Sequence, residues 1–187
     1  MSRLQPKQPE ELTPEQREQH ERTGRARPAG ADGQYGGPFD AWIRAPEFGR
    51  RALGMGDFLW QRTTVGRRIV ELAILVTARF WESNVEWSAH SRLARQNGVS
   101  DEVIDAIYAG TRPKMAPEDE LIAYDTCRSL HENHELAPDQ YARAVAQFGE
   151  EGLMELVATV GFYTMVAMTL AAFDVGVPEG VKSPFPR

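Results

Sequence analysis

The sequence predicts an all-α protein, and three observations carry that reading. Apolar residues recur at 69, 72, 73, 76 and 80, the three-to-four spacing of one helix face. Helix punctuation is dense: Pro46, Pro117 and Pro138 stand where first turns begin, Ser100 precedes Asp101 and Glu102, and Asn97-Gly98 forms a stop. No stretch alternates apolar and polar residues for long enough to suggest a strand, and there is no internal repeat.

Residues 1–37 are rich in Pro, Gly, Gln, Glu and Arg and almost empty of large apolar side chains. Such a segment cannot bury enough surface to order itself, so it is expected to be an arm, flexible or wrapped on a neighbouring subunit. The Gly36-Gly37-Pro38 turn ends it. A helical domain follows over 38–178, with an irregular tail over 179–187 that contains Pro184 and Pro186.

Within the domain, 39–43 is a short amphipathic turn stopped before Pro46. A helix over 46–60 is weakened by Gly49, Gly54 and Gly56. The strongest helix runs from 64 or 66 to about 81. Helices over 84–96, 100–109 and 117–132 follow, then a shorter one over 138–148 and a last, most apolar one over 150–173.

The formal net charge is −6 and no basic stripe dominates, which argues against nucleic acid as a partner. The one cysteine, Cys127, excludes an intrachain disulfide, a CxxC redox pair and a cysteine-rich zinc site. It points to a reduced compartment, and the N-terminus lacks the apolar stretch of a signal peptide, so a cytoplasmic location is expected. Residues 156–173 are uncharged for eighteen positions, which reaches membrane-spanning length. Their flanks are acidic (Glu150, Glu151, Glu155, Asp174), and Gly161 and three threonines dilute them, so a buried core or oligomer-interface helix is expected and no membrane.

One stretch concentrates the chemistry: Glu71-Leu-Ala-Ile-Leu-Val-Thr-Ala-Arg79, then Ser83-Asn-Val-Glu86-Trp87-Ser-Ala-His90. Glu86 and His90 are four apart and share one helix face. Glu71 and Arg79 are charges on an apolar helix, which are costly unless paired or used. Each has a plain structural reading beside the functional one. Ser83 with Glu86 fits a capping box, in which the glutamate is tied to its own helix end. Glu71 could be an interior ion pair with Arg67, Arg68 or Arg79. His90, flanked by Ala89, Leu93 and Ala94, is suited to general acid–base work if buried beside carboxylates. Arg79 could clamp a substrate carboxylate, and Trp87 and Tyr163 could line the pocket or serve as core. His131-Glu-Asn-His134 lacks the spacing of a zinc motif and lies among polar residues, so it reads as a solvated helix end; no metal ligand set and no cofactor are expected.

These residues resemble the carboxymuconolactone decarboxylase family, a branch of the alkylhydroperoxidase D-like superfamily. The match rests on Arg68-Ile-Val-Glu71-Leu-Ala-Ile-Leu, Val85-Glu86-Trp87-Ser-Ala-His90 and Ala94-Arg-Gln-Asn-Gly98-Val-Ser-Asp-Glu, then on Phe148-Gly149-Glu-Glu-Gly152 and Gly161-Phe-Tyr163-Thr. The resemblance implies an alkylhydroperoxidase D-like helical bundle, assembled as a trimer or hexamer with sites near subunit contacts. The peroxidase branch carries a CxxC whose cysteines fall at Ser83 and Glu86, so the resemblance is to the branch without thiol chemistry. It implies a cofactor-free lyase acting on a small carboxylated lactone or cyclic acid in aromatic catabolism, with His90, Glu86 and Glu71 catalytic and Arg79, Trp87 and Tyr163 binding substrate. Isomerisation or hydrolysis at the same residues, or a non-catalytic ligand-binding oligomer, stays open.

Overall fold

A computed structural model describes residues 2–30, 33–178 and 180–185, and among them the regular structure is helical. After a single turn at Pro9–Glu11, the helices are α1 (Pro14–Ala26), α2 (Phe39–Arg44), α3 (Pro46–Gln61), α4 (Gly66–Phe80), α5 (Asn84–Gln96), α6 (Asp101–Tyr108), α7 (Glu118–Glu132) and α8 (Pro138–Ala172).

The bundle is organised around α4, against which α5, α6, α7 and α8 all pack. The sequence spacing suggests a helix with one apolar stripe, but every residue from Ile69 to Ala78 is buried. The helix is enclosed on all sides, and that is why a charge such as Glu71 must find its partners inside the protein. Phe80, counted in the predicted stripe, is instead 41% exposed. The start of α4 is pinned from a distance. Glu155 Oε2 on α8 accepts hydrogen bonds from Thr64 N at 2.7 Å, Thr64 Oγ1 at 2.8 Å and Val65 N at 3.2 Å.

The helices predicted over 138–148 and 150–173 form one long element that breaks at Gly149, whose backbone has φ 71° and ψ 172°. A side chain is strongly disfavoured there, and the glycine lets the chain change direction without a loop. By length and composition α8 is apolar enough to cross a membrane, and half of its apolar window is buried inside the chain. Met154, Val157 and Met168 lie exposed on its outer face.

Two parts outside the central helices differ from the sequence reading. Within 1–37, residues 14–26 form a helix that packs on α2 and α3 of the same chain. Composition underweights two local effects. Thr13 and Gln16 form a complete capping box, and Leu12 and Tyr35 join Ile43 in a small buried cluster. Tyr35 also donates its hydroxyl to the His20 carbonyl at 3.0 Å. The tail is irregular but anchored. Asn84 bonds the Phe185 backbone twice, at 2.7 and 3.1 Å, and Tyr108 Oη donates to Pro184 O at 2.6 Å.

Candidate active site

α4, α5, α8 and the end of α3 bring six side chains together. Glu71 projects from the first half of α4 and has 0% exposure. Its Oε2 lies 2.8 Å from Nδ1 of His90, which α5 supplies. Its Oε1 meets the guanidinium of Arg67, one turn earlier on α4, in an ion pair without hydrogen-bond alignment. One carboxylate thus bridges a cation and an imidazole. Glu71 thus holds the imidazole through Nδ1, and Nε2 lies on the far side of the ring from that carboxylate.

Two aromatic residues enclose the imidazole. Tyr163 of α8 and Trp60 of α3 both meet it edge-on, with ring centroids 5.1 and 6.1 Å away. Trp60 Nε1 donates to Tyr163 Oη at 2.8 Å. Burial holds the Tyr163 phenol well above its ordinary range, with Glu71 and Glu86 adding to the shift and the Trp60 bond opposing it. The phenol therefore stays protonated at neutral pH. Arg67 lies flat on Trp60, its guanidinium carbon 3.8 Å from the ring centroid.

Glu86, one turn before His90, is 3% exposed. Ser83 makes no side-chain cap bond to α5, and neither carboxyl oxygen of Glu86 has a hydrogen-bond partner. The capping-box reading is therefore excluded. Burial pushes its carboxyl up to about 8, with Ser83 alone acting in the other direction. A carboxyl out of water keeps its proton because the Ser83 hydroxyl offsets only part of the solvation that its anion has lost. Glu86 also makes no hydrogen bond to His90; Glu71 orients the imidazole.

Arg79 is not part of this arrangement. It lies eight residues beyond Glu71, about 12 Å along the helix and turned to another side. There its Nε donates to Tyr108 O at 2.7 Å, and its guanidinium stands 5.4 Å from the Phe185 ring centroid, so it fastens α6 and the tail. Trp87, one residue past Glu86, is turned about 100° away and packs between Tyr108 and Phe185 at 5.4 and 5.5 Å. It is core. His131 is not a solvated helix end. It is buried, stacks on Phe80 at 4.4 Å and lies 3.0 Å by Nε2 from Thr77 Oγ1. α7 leans on α4 here, a contact that polar neighbours in sequence do not announce. His134 is exposed.

Sequence reasoning missed Arg67 and Trp60 as site residues. Arg67 carried a signal, since it sits four residues before Glu71 on a helix and was one of three candidate partners. Trp60 carried none, because its partner Tyr163 is 103 positions away. The two main concavities lie elsewhere. One of about 170 Å³ sits between the start of α5, the end of α8 and the tail, and an apolar groove of about 550 Å³ lies between α3 and α8. Of the groups around His90, Trp60 is 42% exposed and the Arg67 side chain 21%, so these are the ones that solvent reaches.

No protein-family model matches the chain, and no curated protein sequence does. Its structure is similar to one described as an alkylhydroperoxidase AhpD core, an uncharacterized peroxidase-related protein from Ralstonia eutropha JMP134. The TM-score is 0.73 at 14% identity, over 95% of this chain and 93% of that one. The chain thus has the alkylhydroperoxidase D-like fold.

Proposed function

We propose that this protein is a cofactor-free acid–base enzyme resembling carboxymuconolactone decarboxylase, acting on a small carboxylated lactone or cyclic acid in aromatic catabolism. The observation that carries the reading is a buried, protonated carboxyl and a carboxylate-held imidazole in one site. Glu86 holds a proton at neutral pH, and Glu71 holds His90 through Nδ1, which leaves Nε2 for a substrate. Decarboxylation uses the donor. The bond to the carboxylate carbon breaks, carbon dioxide leaves, the electron pair runs into a conjugated carbonyl, and Glu86 delivers its proton to carbon. Isomerisation uses both groups, with His90 removing a proton at one carbon and Glu86 returning one at another; this keeps an isomerase as the second reading.

Thiol peroxidase chemistry fits these residues poorly. Ser83 and Glu86 stand where that branch has cysteines, and Cys127 is fully enclosed with its thiol pushed up to about 12. A purely ligand-binding role was most natural with Glu86 as a capping residue, and that cap bond is missing. A cytoplasmic homo-oligomer, trimer or hexamer, is part of the proposal, and the exposed Met154, Val157 and Met168 of α8 offer a face for it.

The test is a screen of carboxylated lactones and keto acids for carbon dioxide release and absorbance change, comparing wild type with Glu86→Gln and His90→Ala. A positioned acid or base contributes about 10²–10⁴-fold, so Glu86→Gln should lose about that much turnover in either reaction, and His90→Ala should lose it as well in an isomerisation. Full turnover by Glu86→Gln on the true substrate would overturn the assignment.

A further inference from the structure

We propose that Arg67 is the anion-binding residue of this site, receiving the carboxylate of a ligand whose flat apolar body lies against Trp60. The assignment rests on reading the Glu71–His90 pair as a substrate site, and it names the chemistry by which a substrate is held there.

Four observations support it. First, the guanidinium has five N–H donors, and its protein partners engage only part of them. One nitrogen faces Glu71 Oε1 and Nη1 donates to Trp60 O at 3.3 Å. Second, the group is immobilised before any ligand arrives, stacked on Trp60 at 3.8 Å and held at its edge by Glu71. Little side-chain freedom is left to lose on binding. Third, Glu71 is shared between Arg67 and His90, so the guanidinium and the imidazole stand on the two oxygens of one carboxylate. Fourth, charge permits it. Arg67 and Glu71 cancel, and Glu86 is neutral below about pH 8, so a carboxylate does not enter a negative site. The other arginines nearby are occupied: Arg68 is bound to Asp119 and Glu120, and Arg79 is turned to the Tyr108 carbonyl.

A counter-ion for Glu71 and nothing more is the competing role, and calorimetric titration separates the two. Benzoate is the probe, with benzamide as its neutral counterpart, on wild type, Arg67→Lys, Arg67→Gln and Arg79→Gln. Benzoate should bind wild type at least about tenfold tighter than benzamide. Arg67→Lys, which keeps the charge beside Glu71 and loses the fork, should weaken benzoate about fivefold or more and leave benzamide unchanged. Arg67→Gln should abolish the preference, and Arg79→Gln should keep it. If Arg67→Gln fails to fold, Arg67→Lys decides alone. Unchanged benzoate affinity in Arg67→Lys, loss of it in Arg79→Gln, or no binding by wild type would overturn the proposal. These readouts need no turnover. His90→Ala and Glu86→Gln should still prefer benzoate, so failure of the acid–base reading appears as retained turnover in Glu86→Gln and not as lost binding.

Discussion

Glu71 Oε2 lies 2.8 Å from His90 Nδ1 in a site where the carboxylate is fully enclosed and its other oxygen faces Arg67. The imidazole is thereby fixed in one orientation, with its remaining nitrogen turned away from its support. Arg67 supplies the positive partner that a carboxylate with no exposure requires.

Glu71→Gln keeps the shape and removes the charge. Arg67 then loses its counter-ion and the imidazole loses its strong acceptor. Breaking a buried ion pair by removing one partner costs about 3–5 kcal/mol, and the partial exposure of Arg67 places this variant at or below the lower end. Urea unfolding at neutral pH should show the loss, and turnover should fall with it.

Glu86 gives stability a slope in the opposite direction from most carboxylates. The unfolded chain ionises this group near the ordinary 4.5, the folded chain only near 8. Between these values the folded state holds a proton that the unfolded state has lost. The contribution is whole below pH 4.5 and falls as pH rises, with the loss complete above pH 8. Glu86→Gln, neutral at every pH, should remove this slope and be more stable than wild type at pH 8.5 by roughly 2 kcal/mol or more. Parallel slopes for the two proteins from pH 5 to 8.5 would refute it.

His131 acts on the acid side. Burial first, and Arg128 second, hold its imidazole down at about 4 from the ordinary 6.5. Its contribution is present above pH 6.5 and is lost as pH falls through 4, because the unfolded chain takes up the proton first. Thermal melts of His131→Leu should therefore show a shallower decline than wild type between those values.

Gly149→Ala tests the break in α8. No heavy atom lies within 4 Å of where the new Cβ would stand, so the cost is backbone strain alone. A residue forced into that region costs about 1–3 kcal/mol, which chemical denaturation should read as a lower midpoint with an unchanged slope.

Arg79→Ala should leave turnover within about twofold and lower stability modestly, since it releases the Tyr108 carbonyl and the Phe185 ring. A loss of turnover as large as that of Glu86→Gln would return Arg79 to the site.

Much of the fold was legible because local rules and global packing agree. The prolines at 46 and 138 open helices, Ser100 caps α6 by accepting from Val103 N at 3.3 Å, and the apolar run of α4 becomes the centre of the bundle. The arm was misread because composition averages over 37 residues, whereas a few anchors such as Leu12 and Tyr35 suffice to dock a short helix. In the site, Glu71, Glu86, His90 and Tyr163 do gather in one region. Arg79 and Trp87 do not, and Arg67 and Trp60 stand beside the Glu71–His90 pair instead.

The sequence by itself determined the helical class, the residues able to move protons, and the lack of a cysteine pair at 83 and 86. These follow from residue identity and from spacing along one helix. The packing of the helices settled which arginine pairs with Glu71, that Glu86 is a buried acid and not a cap, and that His131 is buried. Those outcomes depend on how separate helices are rotated and stacked against one another. Spacing within a helix records which residues share its face, but what that face meets is supplied by segments as distant as Trp60 and Tyr163.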